Sequence, residues 1–238
     1  MTGSLPNAYT LAAFIGLPYV AAALLFVVTL QRYLYRRFTY SSLSSQFLEN
    51  DAHFWALVPF HYGLLGVLGL HAIALCVPSA LLDFTRAPVR LYLLEATGSA
   101  LGLLAILGIA MALIRRTASR KVFAVTSPMD WILLALLLVQ VTTGLFIAVF
   151  KPWGYPWFSA IVTPYLWSLF RLDPDIPAIS VLPWLVQLHL INAFLLVALF
   201  PFTRLVHLVV APLPYLWRRP QVVRWYAKPG PRLEDGRS

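Results

Sequence analysis

Five stretches of this chain are each long and apolar enough to cross a bilayer, and that feature leaves few folds open. They run from about Tyr9 to Gln31, Phe54 to Val77, Tyr92 to Ile114, Trp131 to Phe150 and Leu182 to His207. A membrane helix needs about 20 mainly apolar residues. None of the five has Lys, Asp or Glu at its centre, since Glu95 and Arg204 fall near span ends. The alternation that marks a β-barrel strand is missing, and in lipid every amide must be satisfied within its own helix. The expected fold is an all-α integral membrane protein with five transmembrane helices. Composition agrees: only 11% of the 238 residues are charged and 60% are hydrophobic, against roughly 25% charged in a soluble domain.

The net charge of +9 does not point to nucleic acid, because the basic residues follow the spans. Arg32, Arg36 and Arg37 come after the first span, and Arg115, Arg116, Arg120 and Lys121 after the third. Arg204, Arg218, Arg219, Arg224, Lys228, Arg232 and Arg237 lie at and beyond the end of the fifth. That places 14 of 18 basic residues on one side, leaving Arg86, Arg90, Lys151 and Arg171 on the other. The positive-inside rule then sets the N-terminus outside and the C-terminus inside. No Lys or Arg precedes Arg32, so the first span reads as retained rather than as a signal peptide. One five-helix domain is expected over residues 1–228, followed by a polar tail from Pro229 to Ser238. The fourth connection, Lys151 to Ser180, is long and Trp-rich, which suits the outer headgroup region, where it reads equally as an interfacial cover for the bundle or as part of a ligand pocket. The single cysteine, Cys76, reads as a small packing residue.

Polar groups are costly in hydrocarbon, so the histidines stand out. His61 and His71 lie in the second span, ten residues apart; His189 and His207 lie in the fifth, eighteen apart. His53 sits at the membrane edge and reads as solvated. If both spans are continuous, eighteen residues advance five turns, so His189 and His207 share a face. The spans run in opposite directions. His61 therefore meets His207 at the inner side, and His71 meets His189 at the outer side. Axial distances of about 15 Å and about 27 Å between the two members of each span do not match; a tilt of the groups held between them, a helix crossing angle, or kinks at Pro59 and Pro201 would each absorb the difference.

Each pair offers two imidazoles with no carboxylate or thiolate nearby. Zinc and di-iron centres want three or four protein ligands. Two axial imidazoles suit haem iron, so two haem b groups are expected, with Gly63, Gly66 and Gly69 admitting the flat macrocycle. No Cys-x-x-Cys-His is present for covalent attachment.

At these residues the chain resembles the gamma subunit (cytochrome b) of membrane-bound respiratory nitrate reductase. The likeness spans roughly Tyr9 to Arg224. It includes Ser44 to Gln46, the spacing of His61 and His71, the basic cluster Arg115 to Arg120, the Asp130 to Gln140 opening, and LFPFTRLVH from Leu199 to His207. The resemblance implies a subunit of the prokaryotic inner membrane that oxidises a quinol, menaquinol or ubiquinol, at the outer face. Electrons would pass from the haem of His71 and His189 to that of His61 and His207. From there they would reach an iron–sulfur beta subunit and a molybdenum-containing alpha subunit on the inner side. Where the family has a quinol-site Lys, this chain has Arg90, which keeps the charge but not the donor geometry. By depth, Arg116 and Arg204 are candidate partners for the inner haem's propionates. The alternatives are an equivalent dihaem anchor of a nitrite-oxidising or disulfide-reducing complex, and a transporter whose histidines relay protons.

Overall fold

The computed structural model describes residues 7–35, 51–151 and 157–208, and of 51–56 and 207–208 only the backbone. Among these residues every regular element is helical. Five helices are long and apolar enough to span a membrane: α1 (Ala8–Tyr35), α2 (Asp51–Cys76), α4 (Pro88–Ala118), α6 (Pro128–Phe150) and α9 (Trp184–Leu199, extended by a 3-10 turn to Phe202). Shorter helices join them: α3 (Pro78–Thr85), α5 (Arg120–Ala124), α7 (Phe158–Phe170) and α8 (Ile176–Ser180). Pro at the first position opens α3, α4 and α6, where its missing N–H costs nothing.

The packing order of the spans is α2, α4, α6, α9, α1. The tightest joint is α2 on α4. A Cβ on Gly63 would lie 2.4 Å from the Ala105 amide nitrogen, and one on Gly108 would lie 2.3 Å from that of Phe60. The two backbones therefore touch, as small residues permit between membrane helices. This revises the role expected of the second-span glycines. Gly63 and Gly66 pack against α4, while Gly69 faces open space. Cys76 is likewise exposed at the end of α2 rather than packed.

The fifth span departs most from the continuous helix expected. Its α-helix ends at Leu199, and Thr203 is extended before a 3-10 turn over Arg204–Leu208. Pro201 supplies the cause, since it lacks an N–H and its ring clashes with the preceding turn. Pro59, by contrast, sits inside an unbroken α2. His189 and His207 thus do not lie on one face of one helix, and the 27 Å rise does not apply. Arg32 donates to the freed Pro201 carbonyl. Arg204 forks onto buried Asp130, with Nε–Oδ1 at 2.8 Å and Nη2–Oδ2 at 2.9 Å. Asp130 also closes a capping box with Ser127 at the start of α6. One carboxylate thereby ties the broken end of the fifth span to the fourth.

The fourth connection is more than a surface cover. Tyr165 of α7 is fully buried and donates to the Phe14 carbonyl at 2.7 Å. Thr163 and Trp167 donate to the Ala74 and Leu75 carbonyls, at 3.3 and 3.1 Å. These are among the last carbonyls of α2, which have no partner within their own helix. Helix α7 therefore bridges α1 and α2, the two ends of the row.

Two measurements of detergent-solubilised protein test this packing. Gly108→Val is expected to lower stability by about 2 kcal/mol or more, because the backbone of α2 cannot move aside cheaply; a thermal midpoint equal to wild type refutes the contact. Asp130→Ala is expected to cost about 3 kcal/mol, by loss of a cap and an ion-pair partner, and Asp130→Asn less.

Candidate functional site

Helices α2 and α9 carry the described histidines, yet they are far apart in the packing order. Between them lies a cavity of about 360 Å³ lined by His71, His189, Gln140, Glu95 and a mainly apolar wall. Its glycines are Gly98 and Gly102 from α4 and Gly144 from α6. From the fourth connection come Trp157, Phe158, Val162 and Leu166. The His71 and His189 ring centroids are 6.4 Å apart with planes 29° from parallel. Phe158 meets His71 edge-on at 5.0 Å. A Cβ on Gly144 would press within 3.0 Å of the His189 ring, so glycine gives that ring its seat.

The hydrogen bonds set which nitrogen of each ring carries the proton. His71 Nδ1 lies 2.8 Å from the Val67 carbonyl, and His61 Nδ1 lies 2.8 Å from that of Leu57. A carbonyl only accepts, so Nδ1 is the protonated nitrogen and Nε2 keeps a lone pair. For His189 the third partner is a hydroxyl. Thr143 spends its own hydrogen on backbone carbonyls of its helix, Val139 at 2.7 Å or Gln140 at 3.1 Å. Its oxygen, 2.9 Å from His189 Nδ1, then accepts from that ring. Asn192, itself buried, donates to Gln140 Oε1 at 2.7 Å and to the Leu136 carbonyl at 3.0 Å. This orients the Gln140 amide so that its N–H faces His189 Nε2 at 3.0 Å.

All three described rings therefore hold the same tautomer, with Nδ1–H on a fixed acceptor and a basic Nε2. That is the state a metal-binding imidazole needs, its second nitrogen anchored by an outer partner. A metal held by His189 Nε2 would replace the Gln140 amide as the partner of that nitrogen. Imidazole nitrogens sit roughly 2.0–2.1 Å from a transition metal. His71 and His189, with ring centroids 6.4 Å apart, would hold such an ion between them. Among the described residues no three His, Cys, Asp or Glu gather as a metal cluster, so the donor set fits an ion whose other positions are filled by a macrocycle.

Other expected residues fare differently. His207 lies on the 3-10 turn after the break; its side chain, like that of His53, lies outside the described residues. So do Ser44 to Gln46 and the tail from Pro229. Arg90 is exposed, stacks its guanidinium 5.0 Å above the Phe84 ring, and does not line the cavity. Arg204 is held by Asp130, while Arg116 donates to the Ala112 carbonyl at 3.1 Å. The residues that sequence reasoning overlooked are Gln140, Thr143 and Asn192. Their signal was available: each is a polar side chain in the middle of an apolar span, which calls for a partner inside the bundle.

Residues 10–226 match the model of a family described as the nitrate reductase gamma subunit. The respiratory nitrate reductase 1 gamma chain of Escherichia coli is 30% identical over 217 residues, covering 87% of this chain and 93% of its own. The nitrate reductase gamma chain of Bacillus subtilis is 30% identical over 220 residues, covering 87% and 95%. The nitrate reductase-like protein NarX of Mycobacterium tuberculosis is 28% identical over 235 residues, which are only 36% of its length. The chain belongs to the nitrate reductase gamma subunit family, as a multi-pass membrane subunit of a prokaryotic oxidoreductase complex.

Proposed function

We propose that this chain is the quinol-oxidising cytochrome b of a respiratory nitrate reductase. His71 and His189 hold an outer haem b, and His61 and His207 an inner one. The observation that carries the reading is the cavity between α2 and α9, where two imidazoles 6.4 Å apart are fixed in the tautomer that leaves Nε2 free to ligate. When bound, the haems supply one-electron relays across the membrane. The chain's residues do the rest. Val67 and Thr143 hold the outer rings in register, and Gly98, Gly102 and Gly144 leave room for a flat group. Trp157 and Phe158, at the start of α7, line the cavity beside His71. The excess of basic residues beyond the first, third and fifth spans supports an N-terminus outside and a C-terminus inside. Menaquinol or ubiquinol is then oxidised outside, and an iron–sulfur beta subunit and molybdenum-containing alpha subunit dock inside. Arg90, at the outer edge under this orientation, remains a candidate contact for an approaching quinol.

In the whole complex, His71→Leu and His189→Leu are each expected to remove about half of the dithionite-reducible b-type absorbance. Both should abolish nitrate reduction by quinol and spare reduction by an artificial donor that bypasses this subunit. A full spectrum in both variants overturns the haem assignment. Intact artificial-donor turnover of a substrate other than nitrate would move the subunit to a related complex.

Thr143→Val keeps the volume but removes the acceptor for His189 Nδ1–H. The ring becomes a poorer donor, so the oxidised iron is favoured less. The outer haem potential is expected to rise by tens of millivolts, at roughly 59 mV per tenfold change in relative affinity. An unchanged potential in a redox titration sinks this role for Thr143.

A further inference from the structure

We propose that Asp130 is a positioning residue for the inner haem, acting through Arg204 to fix the turn that carries the ligand His207. This rests on the dihaem reading above.

A bis-imidazole site needs its ligands held to within about 0.5 Å of their working places. His61 meets that need within its own helix, on the unbroken α2 with Nδ1 against the Leu57 carbonyl. His207 has no continuous helix to hold it. The α-helix that carries His189 ends at Leu199, and Thr203 is extended, with ψ at 175°, before the 3-10 turn Arg204–Leu208 begins. The direction of that turn is therefore set by side chains.

Val206 is buried, and Leu205 packs on the core formed by α4 and α6. Apolar contacts of this kind are non-directional. The directional contact is Arg204. Its Nε and Nη2 fork onto Asp130 at 2.8 and 2.9 Å, and Nη2 also donates to the Val125 carbonyl at 3.2 Å. A fork of two parallel bonds fixes orientation as well as distance. Position 207 follows position 204 by one turn of a 3-10 helix, so a guanidinium held in place also holds the backbone at His207.

Asp130 is itself rigid. It is the third residue of α6 and only 5% exposed. Its Oδ2 accepts from the Ser127 amide at 2.9 Å, and its own amide donates to the Ser127 hydroxyl at 3.2 Å. As a source of stability alone, a buried ion pair does no better than a well-packed apolar pair. What the charge pair adds here is orientation.

The test uses membranes carrying the assembled complex. Asp130→Ala is expected to lose about half of the dithionite-reducible b-type absorbance, because losing an outer partner of a metal ligand costs about 10- to 100-fold in affinity. Made in the His71→Leu background, where only the inner haem remains, it should remove nearly all of what is left. Ser127→Ala is the control, since it removes the same helix cap but leaves the fork on Arg204, and both haems should stay. Asp130→Asn keeps an acceptor for Arg204. It is expected to retain the inner haem with a shifted low-field EPR signal, which reports the orientation of the ligand rings, and an unshifted outer one. If Asp130→Ala does not assemble, the Asn signal decides. Wild-type absorbance and EPR positions for both haems in the Asp130 variants overturn the proposal. So does equal loss of the two haems in Asp130→Ala, or loss of the inner haem in Ser127→Ala, either of which makes Asp130 a stabiliser of the fold only. If the wild-type complex holds no reducible b-type haem, the dihaem reading falls instead.

Discussion

In the hydrocarbon of a bilayer a polar group has no water to fall back on, so each one needs a partner within the protein. That constraint shapes this molecule from its backbone outward. Five spans are helical because a helix satisfies its own amides. The ends and breaks are covered by side chains: Thr163 and Trp167 on the last carbonyls of α2, Arg32 on Pro201, and Ser127 with Asp130 at the start of α6. The same rule fixes the histidines. Each described ring turns Nδ1 toward an acceptor, a carbonyl of its own helix for His61 and His71 and Thr143 for His189. The chemistry of the site is thus a by-product of local satisfaction. Once Nδ1–H is anchored, Nε2 is left as a base.

Packing then turns these rings into a site. Helices α2 and α4 meet at backbone distance through Gly63 and Gly108, while α9 packs on α6 and α1. The histidine-bearing helices are kept apart by this arrangement, and α7, anchored to α1 through Tyr165, lines the gap with Phe158. The result is an apolar cavity with few polar groups, each with a definable task. Gln140 and Asn192 form a chain that ends on His189. Glu95 lines the same cavity, and its Oε1 has no hydrogen-bond partner among the described residues.

For a subunit of a nitrate reductase complex these features divide the labour by depth. The half holding His71, His189 and Glu95 is built around an apolar cavity. The opposite half is built around arginines and Asp130, with the fifth span broken and clamped there.

The sequence by itself determined the five spans, the family, and the histidines as the costly groups to explain. Hydropathy, span length and charge are local properties that need no knowledge of neighbours. Only the tertiary structure decided what each local feature does. The second-span glycines serve helix contact because Ala105 and Phe60 happen to face them. Pro59 is absorbed within α2 whereas the helix carrying Pro201 ends beside it, where Arg32 reaches across from α1 to the Pro201 carbonyl. Arg204 is spent on Asp130, and Thr143, Gln140 and Asn192 become partners of one imidazole. A one-dimensional pattern gives the cost of a buried polar group but not its partner, because the partner comes from a helix some fifty residues away, as Gln140 does for His189.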